Sequence, residues 1–422
     1  MDWKEIAMLI TVGTGIGGPE ARDSLAHGIL FSIKSHRPKK IIFFGSEESK
    51  KTVESVIRQF SEMGIDFEYD EFVLINNVDS FSDYFSAFKS KIQELDETYE
   101  IIIDYTSGTK TMTMSAAFAS MVFGKKLIFV TGKREKGSVV KGTEKIASQN
   151  LFLVYDELML SKIKELFNIN RFEAGKSLLS DIVDENTDKE IYSRLFDIYN
   201  YFDSVDYENA YNLFDNEFNN ILIEKWPELK NDFIQNKIAL QTIIQKENPE
   251  KGLREHKNRC YFILASLLNN ARRRCEEHKY DDAIARLYRA LELIAQIRLK
   301  KQYKLNSSNI DLDILKNRNV DENYIEKLEN LKDIKGRIRL SLYQDYELLN
   351  FLNDDLGKYF EENYGKISNC IEFRNKSILA HGLNNQSLDD YKRFEKLVFD
   401  VANILTNKLE LYLNQTMFPY LE

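Results

Sequence analysis

The stretch Ile101-Ile-Ile-Asp-Tyr105, followed by Thr106-Ser-Gly-Thr-Lys-Thr111 and then MTMSAAFASMVF over 112–123, decides the fold. Three consecutive isoleucines read as a short strand buried on both faces. The small apolar residues after the turn read as a helix that lies on the sheet. The same alternation recurs around it. Apolar runs stand at Ile6–Val12, Ile41–Phe44, Phe72–Ile75 and Leu127–Val130, with helices expected over about 17–35, 47–63, 79–96 and 109–123. Short β-branched runs separated by amphipathic stretches predict parallel strands covered on both sides by helices. A basic, Gly-rich excursion from Gly132 to Gly142, carrying Lys133, Arg134, Lys136 and Lys141, reads as a hairpin or as a lid over a ligand. A last strand is expected around Leu151–Val154.

Two loops follow strands of this sheet. Gly13-Thr-Gly-Ile-Gly-Gly18 opens the first helix, and Gly13, Gly15 and Gly18 fit a GxGxxG spacing. A dinucleotide fold also needs an acid at the end of the second strand; here that strand ends Phe44-Gly45-Ser46, so NAD fits poorly. In the second loop Thr106, Ser107, Gly108, Thr109 and Lys110 gather hydroxyls, a glycine and a lysine at the amino end of a helix. Backbone amides and the helix dipole favour an anion there, and Lys110 adds a point charge. N-capping accounts for any one of these residues; together they exceed what a cap needs. Both loops lie at carboxyl ends of parallel strands, where open α/β sheets hold ligands, and a phosphate-containing nucleotide is expected.

Beyond residue 156 strand signals vanish and helical periodicity takes over. In Asp281–Tyr303 the residues Ile284, Leu287, Tyr288, Leu291, Ile294, Ala295 and Leu299 fall at helical spacing, with Asp281 and Asp282 expected as capping acids. Phe172-Glu-Ala, Tyr207-Glu-Asn-Ala and Tyr280-Asp-Asp-Ala share an opening that fits either a helical-repeat array or separately capped hairpins. The 422 residues suit two or three domains, and 43% hydrophobic content excludes global disorder. Net charge is −9, which excludes a bulk-basic nucleic-acid coat. The charge is uneven: net −2 over 1–150, −10 over 151–250 and +7 over 254–304. Three scattered cysteines (Cys260, Cys275, Cys370) and five histidines without HExxH or HxH spacing lead to no expected disulfide framework or metal site. There is no apolar run long enough for a membrane span, and the acidic start MDWKEIAMLI does not read as a signal peptide, so a cytoplasmic protein is expected.

Near the C-terminus stands Glu372-Phe-Arg374-Asn375-Lys-Ser-Ile-Leu-Ala-His381-Gly382. A seven-residue step returns to one helix face, so Arg374 and His381 are expected side by side. A histidine can act as general acid or base and an arginine can hold a phosphate, which suits RNA cleavage, where the 2′-hydroxyl is the nucleophile. Arg272 and Arg273 precede His278 at similar spacing, but His278 sits in a solvated turn, Glu276-Glu-His-Lys279. Arg272, Arg273 and Arg274 read as phosphate contacts or as an ordinary charged face.

The sheet with Gly13-Thr14-Gly15 and Thr106 to Lys110 resembles a CARF domain, the CRISPR-associated Rossmann-like sensor. The Arg374–His381 segment resembles the Arg-x(4–6)-His motif of HEPN ribonucleases, and Arg286–Gln296 resembles a helix of one CARF–HEPN subgroup. The resemblance implies an α/β plus all-α fold: a Rossmann-like CARF domain (1–156), a helical connector (157–250) and a helical HEPN domain (251–422). It implies a type III CRISPR accessory endoribonuclease, a homodimer activated by a cyclic tetra- or hexa-adenylate, cutting single-stranded RNA with no metal and no other cofactor. Arg374 and His381 would be catalytic, with Asn375 as polar support. Gly13, Thr14, Gly15, Thr106, Ser107, Gly108, Thr109 and Lys110 would hold the activator. Some CARF domains also cut their activator; Thr14 or Thr106 would then position a 2′-hydroxyl. A non-catalytic nucleotide sensor that recruits a partner through its helical half is the competing reading, and a helical scaffold a third.

Overall fold

The computed structural model describes residues 4–15, 18–135, 138–149, 151–183, 188–246, 255–318, 320–377 and 382–422. The first part alternates strand and helix: β1 (Glu5–Thr11), α1 (Pro19–His36), β2 (Lys40–Gly45), α2 (Lys50–Glu62), β3 (Glu71–Leu74), α3 (Phe81–Leu95), β4 (Tyr99–Asp104), α4 (Lys110–Phe123) and β5 (Lys126–Thr131). Two short strands, β6 (Arg134–Glu135) and β7 (Ser138–Val139), precede β8 (Lys145–Gln149). The six-stranded sheet runs β3-β2-β1-β4-β5-β8. Every pairing in it is parallel except β5 with β8.

The isoleucine runs do what their continuity predicts. Along β1, Ala7 and Leu9 enter the core on one face while Met8 and Ile10 enter the core on the other; in β4, Ile101 and Ile103 alternate with Ile102 in the same way. Strand order reverses at β1, which has β2 on one side and β4 on the other. The loops that leave β1 and β4 therefore open at the topological switch point of the sheet.

One expectation fails here, and of the two readings of the Gly-rich excursion the hairpin is the one observed. The final strand is Lys145–Gln149, not Leu151–Val154: a helix, α5 (Phe152–Asn168), begins within that apolar run, and Leu153 and Val154 are exposed. An edge strand with one neighbour needs no apolar run, so KIASQ carries little signal, and a four-residue apolar run is as good a helix as a strand. The Gly-rich excursion is a hairpin, with Arg134 opposite Val139 and Glu135 opposite Ser138.

The remainder is helical: α6 (Phe172–Ser177), α7 (Lys189–Asp203), α8 (Tyr207–Leu213), α9 (Asn216–Lys225), α10 (Lys230–Ile244), α11 (Arg259–Glu276), α12 (Tyr280–Arg298), α13 (Leu312–Lys316), α14 (Glu322–Glu329), α15 (Leu342–Phe351), α16 (Asp355–Glu362), α17 (Tyr364–Lys376), α18 (Leu388–Leu405) and α19 (Leu409–Gln415). The chain divides into two compact units, Met1–Ser161 with Ser180–Thr187, and Lys162–Leu179 with Asp188–Glu422. One continuous core in the second unit is centred on α11 and α12, which contribute Leu264, Leu268, Leu287, Leu291 and Ile294. The three similar openings at Phe172, Tyr207 and Tyr280 each start a helix, α6, α8 and α12. Asp281 and Asp282 lie in the first turn of α12 but do not cap it; the cap position is Lys279 and Asp281 is used elsewhere. Among the described residues no helix is long and apolar enough to cross a membrane.

Candidate functional site

The two strand-end loops of the sheet are locked to each other. Gly13 donates its N–H to Ser107 Oγ at 2.9 Å, and Thr11 Oγ1 donates to the Ser107 carbonyl. A Cβ on Gly13 would lie 3.1 Å from the backbone of Gly108, so glycine lets the loops approach this closely. Gly15 has φ +73° and Gly108 φ +139°, conformations that side chains rarely adopt. The Gly13 carbonyl is taken by Thr52 Oγ1 at 2.8 Å.

The hydroxyls of the second loop divide by role. Thr106 Oγ1 accepts the Val130 N–H at 2.8 Å, tying the loop to β5, and Ser107 is buried under Gly13. Thr109 caps α4, accepting the Met112 N–H at 3.3 Å. Thr14 is half-buried, while Gly108 and Lys110 are exposed at the amino end of α4. Beneath them Asp104, fully buried at the end of β4, accepts the Thr106 N–H at 2.7 Å. Burial pushes its carboxyl above the ordinary range, against the pull of its hydrogen bonds. Asp104 was missed as a loop-shaping residue; its signal in the sequence is a lone acid closing an isoleucine strand. The structure thus brings Gly13 against Ser107 and Gly108, with Thr14 and Gly15 next in the chain, and leaves Gly108 and Lys110 exposed at the amino end of α4.

In the helical unit, α17 stops at Lys376 and Ser377 turns extended, with ψ 146°. The helix that carries Arg374 thus ends at Lys376, and the expectation that His381 shares its face falls on a residue outside the described ones. Gly382 N–H donates to the Ser377 carbonyl at 3.1 Å, and Asn384 N–H to the Lys376 carbonyl at 3.0 Å. A Cβ on Gly382 would lie 2.0 Å from the Lys376 carbonyl oxygen, so only glycine fits. Ser377 Oγ donates to Asp281 Oδ1 at 2.5 Å, and the Gln386 N–H to Asp281 Oδ2 at 3.4 Å, pinning both ends of the loop to α12. His381 itself, with 378–380, lies outside the described residues.

Arg374 is half-buried, with its guanidinium 4.8 Å from the centre of the Tyr288 ring and Nη1 3.2 Å from Asn375 Oδ1. The ring fixes the cation in place without neutralising it. Burial and Glu292 hold the Tyr288 phenol above its usual range, while Arg374 pulls it back. Tyr288 belongs to the stretch Arg286–Gln296, yet nothing in its spacing singled it out from the core face of α12.

The arginine run on α11 is structural, which corrects its reading as a set of phosphate contacts. Arg273 Nε meets Asp203 Oδ1 at 2.7 Å, Arg274 pairs with the same carboxylate, and Arg272 Nε meets Glu395 at 3.1 Å. Arg273 is only 7% exposed. His278 sits at φ 60° in the exposed turn between α11 and α12. Among the described residues no group of three or more His, Cys, Asp or Glu side chains is arranged to hold a metal ion.

Against known proteins, residues 253–405 match the family model of the Csm6 HEPN domain, and residues 155–244 that of the Csm6 6H domain. The two matches lie in chain order and together cover more than half of the chain. Among solved structures, Enterococcus italicus Csm6 bound to cyclic hexa-2′-fluoro-hexa-dAMP shares the fold, with a TM-score of 0.62 at 14% identity over 98% of this chain and 98% of that one. The chain belongs to the CRISPR-associated CARF–HEPN family. A search of curated protein sequences finds no match. Within the family this protein is a CARF–HEPN effector, and its HEPN domain points to a nuclease. Arg374, Tyr288, Asp281 and Gly382 all fall inside the matched HEPN segment.

Proposed function

We propose that the protein is a type III CRISPR accessory endoribonuclease that cuts single-stranded RNA when a cyclic oligoadenylate occupies its CARF half. The organisation is a CARF sensor over 1–156, a connector over 157–250 and a HEPN nuclease over 251–422. The observation that carries the reading is the guanidinium of Arg374, held over Tyr288 beside a loop pinned at both ends, within the segment that matches a HEPN domain.

Arg374 binds the scissile phosphate and Asn375 supports it. His381 moves the proton: the RNA 2′-hydroxyl loses it, the oxygen attacks the adjacent phosphorus, and the 5′-oxygen leaves protonated. No metal is needed, because the nucleophile belongs to the substrate. The activator lies on the switch-point loops, with the amides of Thr14, Gly15 and Gly108 and the ammonium of Lys110 meeting its phosphates. Gly13, Thr106, Ser107 and Thr109 shape that cradle. A cyclic ligand suits a two-fold homodimer, in which each protomer offers the same loops to half the ring. That a family neighbour is described with a six-membered cyclic ligand supports a ring of this kind. The activator drives cleavage by binding the active arrangement better than the resting one.

The test measures cleavage of a labelled RNA with and without cyclic tetra- or hexa-adenylate, in EDTA, for wild type and His381→Ala. Cleavage is expected only with activator, unaffected by chelator and absent in the variant. Tight activator binding without cleavage of any RNA would instead favour the non-catalytic sensor.

A further inference from the structure

A second positively charged feature lies beside the proposed cleavage site and has no role in it. A groove of about 660 Å³ runs between α16, α17 and α18. Lys366, Lys376, Arg393 and Lys396 line it, against two carboxylates, Glu372 and Asp400. Glu372 is engaged by Lys376 at 2.8 Å. Arg393 and Lys396 are exposed and make no hydrogen bond or ion pair among the described residues. They stand three residues apart on α18, which puts them on one face of that helix. Two aromatic rings, Tyr359 and Phe373, line the same groove. Another cation-bearing pocket of this unit differs: there Arg259 and Lys300 both pair with Glu255, at 3.0 Å each.

We propose that this groove is the path along which single-stranded RNA approaches the cleavage site, with Arg393 and Lys396 as phosphate contacts and Tyr359 and Phe373 as surfaces for bases. The inference rests on the ribonuclease reading above. A cationic groove interleaved with aromatic rings is the arrangement that binds single strands without reading sequence. On a chain of net charge −9, free cations gathered in one groove mark where an anionic polymer is drawn in. The wall contributed by α17 runs from Lys366 to Lys376, about 15 Å at the helical rise, and so reaches the turn that carries Arg374.

The experiment uses the full chain with activator in the His381→Ala background, and a labelled polyuridine oligonucleotide as probe. The dissociation constant is measured across a salt series for that protein and for the same protein carrying Arg393→Gln and Lys396→Gln. Removing two phosphate contacts from a single strand should weaken binding about tenfold and lower the slope of log affinity against log salt by about 1.4. Arg393→Lys with Lys396 intact should restore the slope. Both positions are exposed, so the fold should survive, and the thermal midpoint checks it. Normal RNA binding with an unchanged slope in the double variant would remove the groove from the RNA path while leaving the ribonuclease reading intact. A double variant that loses affinity only because it no longer dimerises would make the groove a protein interface and overturn the inference. If the activated parent protein binds no RNA at all, the ribonuclease reading and this inference fall together.

Discussion

The Tyr288 ring on α12, 4.8 Å away, holds the guanidinium of Arg374, which also donates to Asn375 Oδ1 at 3.2 Å. A cation held over an aromatic face gains roughly 0.5–2 kcal/mol. Tyr288→Leu should therefore lower the RNA cleavage rate by about 3- to 30-fold. Activator affinity should be unaffected, and Tyr288→Phe should recover most of the rate because the ring, not the hydroxyl, holds the cation. Equal losses in both variants would mean the hydroxyl matters instead. A different single residue sets a pH dependence. Asp345 on α15 is 1% exposed; its Oδ2 accepts from Ser307 Oγ at 2.8 Å, and its Oδ1 has no hydrogen-bond partner among the described residues. Burial pushes its carboxyl up to about 7 from the ordinary 3.8, with Ser307 opposing and Glu292 reinforcing the shift. The folded chain holds a proton that the unfolded chain releases near the ordinary value. The stability this contributes is complete below that value and is lost as pH rises through about 7. A shift of this size corresponds to at most about 4 kcal/mol. By calorimetry, Asp345→Asn should lose less stability than wild type between about pH 5 and pH 8; parallel curves would show that the carboxyl is already ionised in the fold. Neither Tyr288 nor Asp345 could be picked from the sequence, since both lie on helices whose spacing reports only which face is apolar.

At the scale of elements, the end of α17 matters more than its length. The helix stops at Lys376, and the next turn closes through Gly382 and Asn384 onto Lys376 and Ser377. Gly382→Ala would place a methyl 2.0 Å from the Lys376 carbonyl oxygen and force this turn open. RNA cleavage should fall by at least tenfold while activator binding persists, a split readable by titrating activator and assaying cleavage on the same preparation. Unchanged cleavage would mean the turn has no part in positioning the catalytic pair. Helix starts were easier to read than this stop. Phe172, Tyr207 and Tyr280 each open a helix, because an aromatic residue followed by an acid suits a first turn that needs both packing and a negative charge near the dipole. The edge strand β8 escaped notice for the opposite reason: with a single neighbour it carries no apolar run to announce it.

For the whole molecule, the uneven charge resolves into separate uses. The basic stretch 254–304 spends Arg272, Arg273 and Arg274 on Glu395 and Asp203, inside the helical unit, where the charges hold helices together. Exposed cations with no hydrogen bond or ion pair among the described residues lie further on, at Arg393 and Lys396, which no segment sum would have found. The order of strands and helices from β1 to β5, the division into a sheet half and a helical half, and the two loops at strand ends were legible from residue order, because buried strands and amphipathic helices must show their periodicity locally. What the order could not supply was pairing across distance. That Gly13 meets Ser107, that Arg374 rests on Tyr288, that Asp281 holds Ser377 and that Arg273 is sealed against Asp203 depend on packing between residues tens of positions apart. Such contacts leave no periodic trace, since each is the outcome of how whole elements settle against one another.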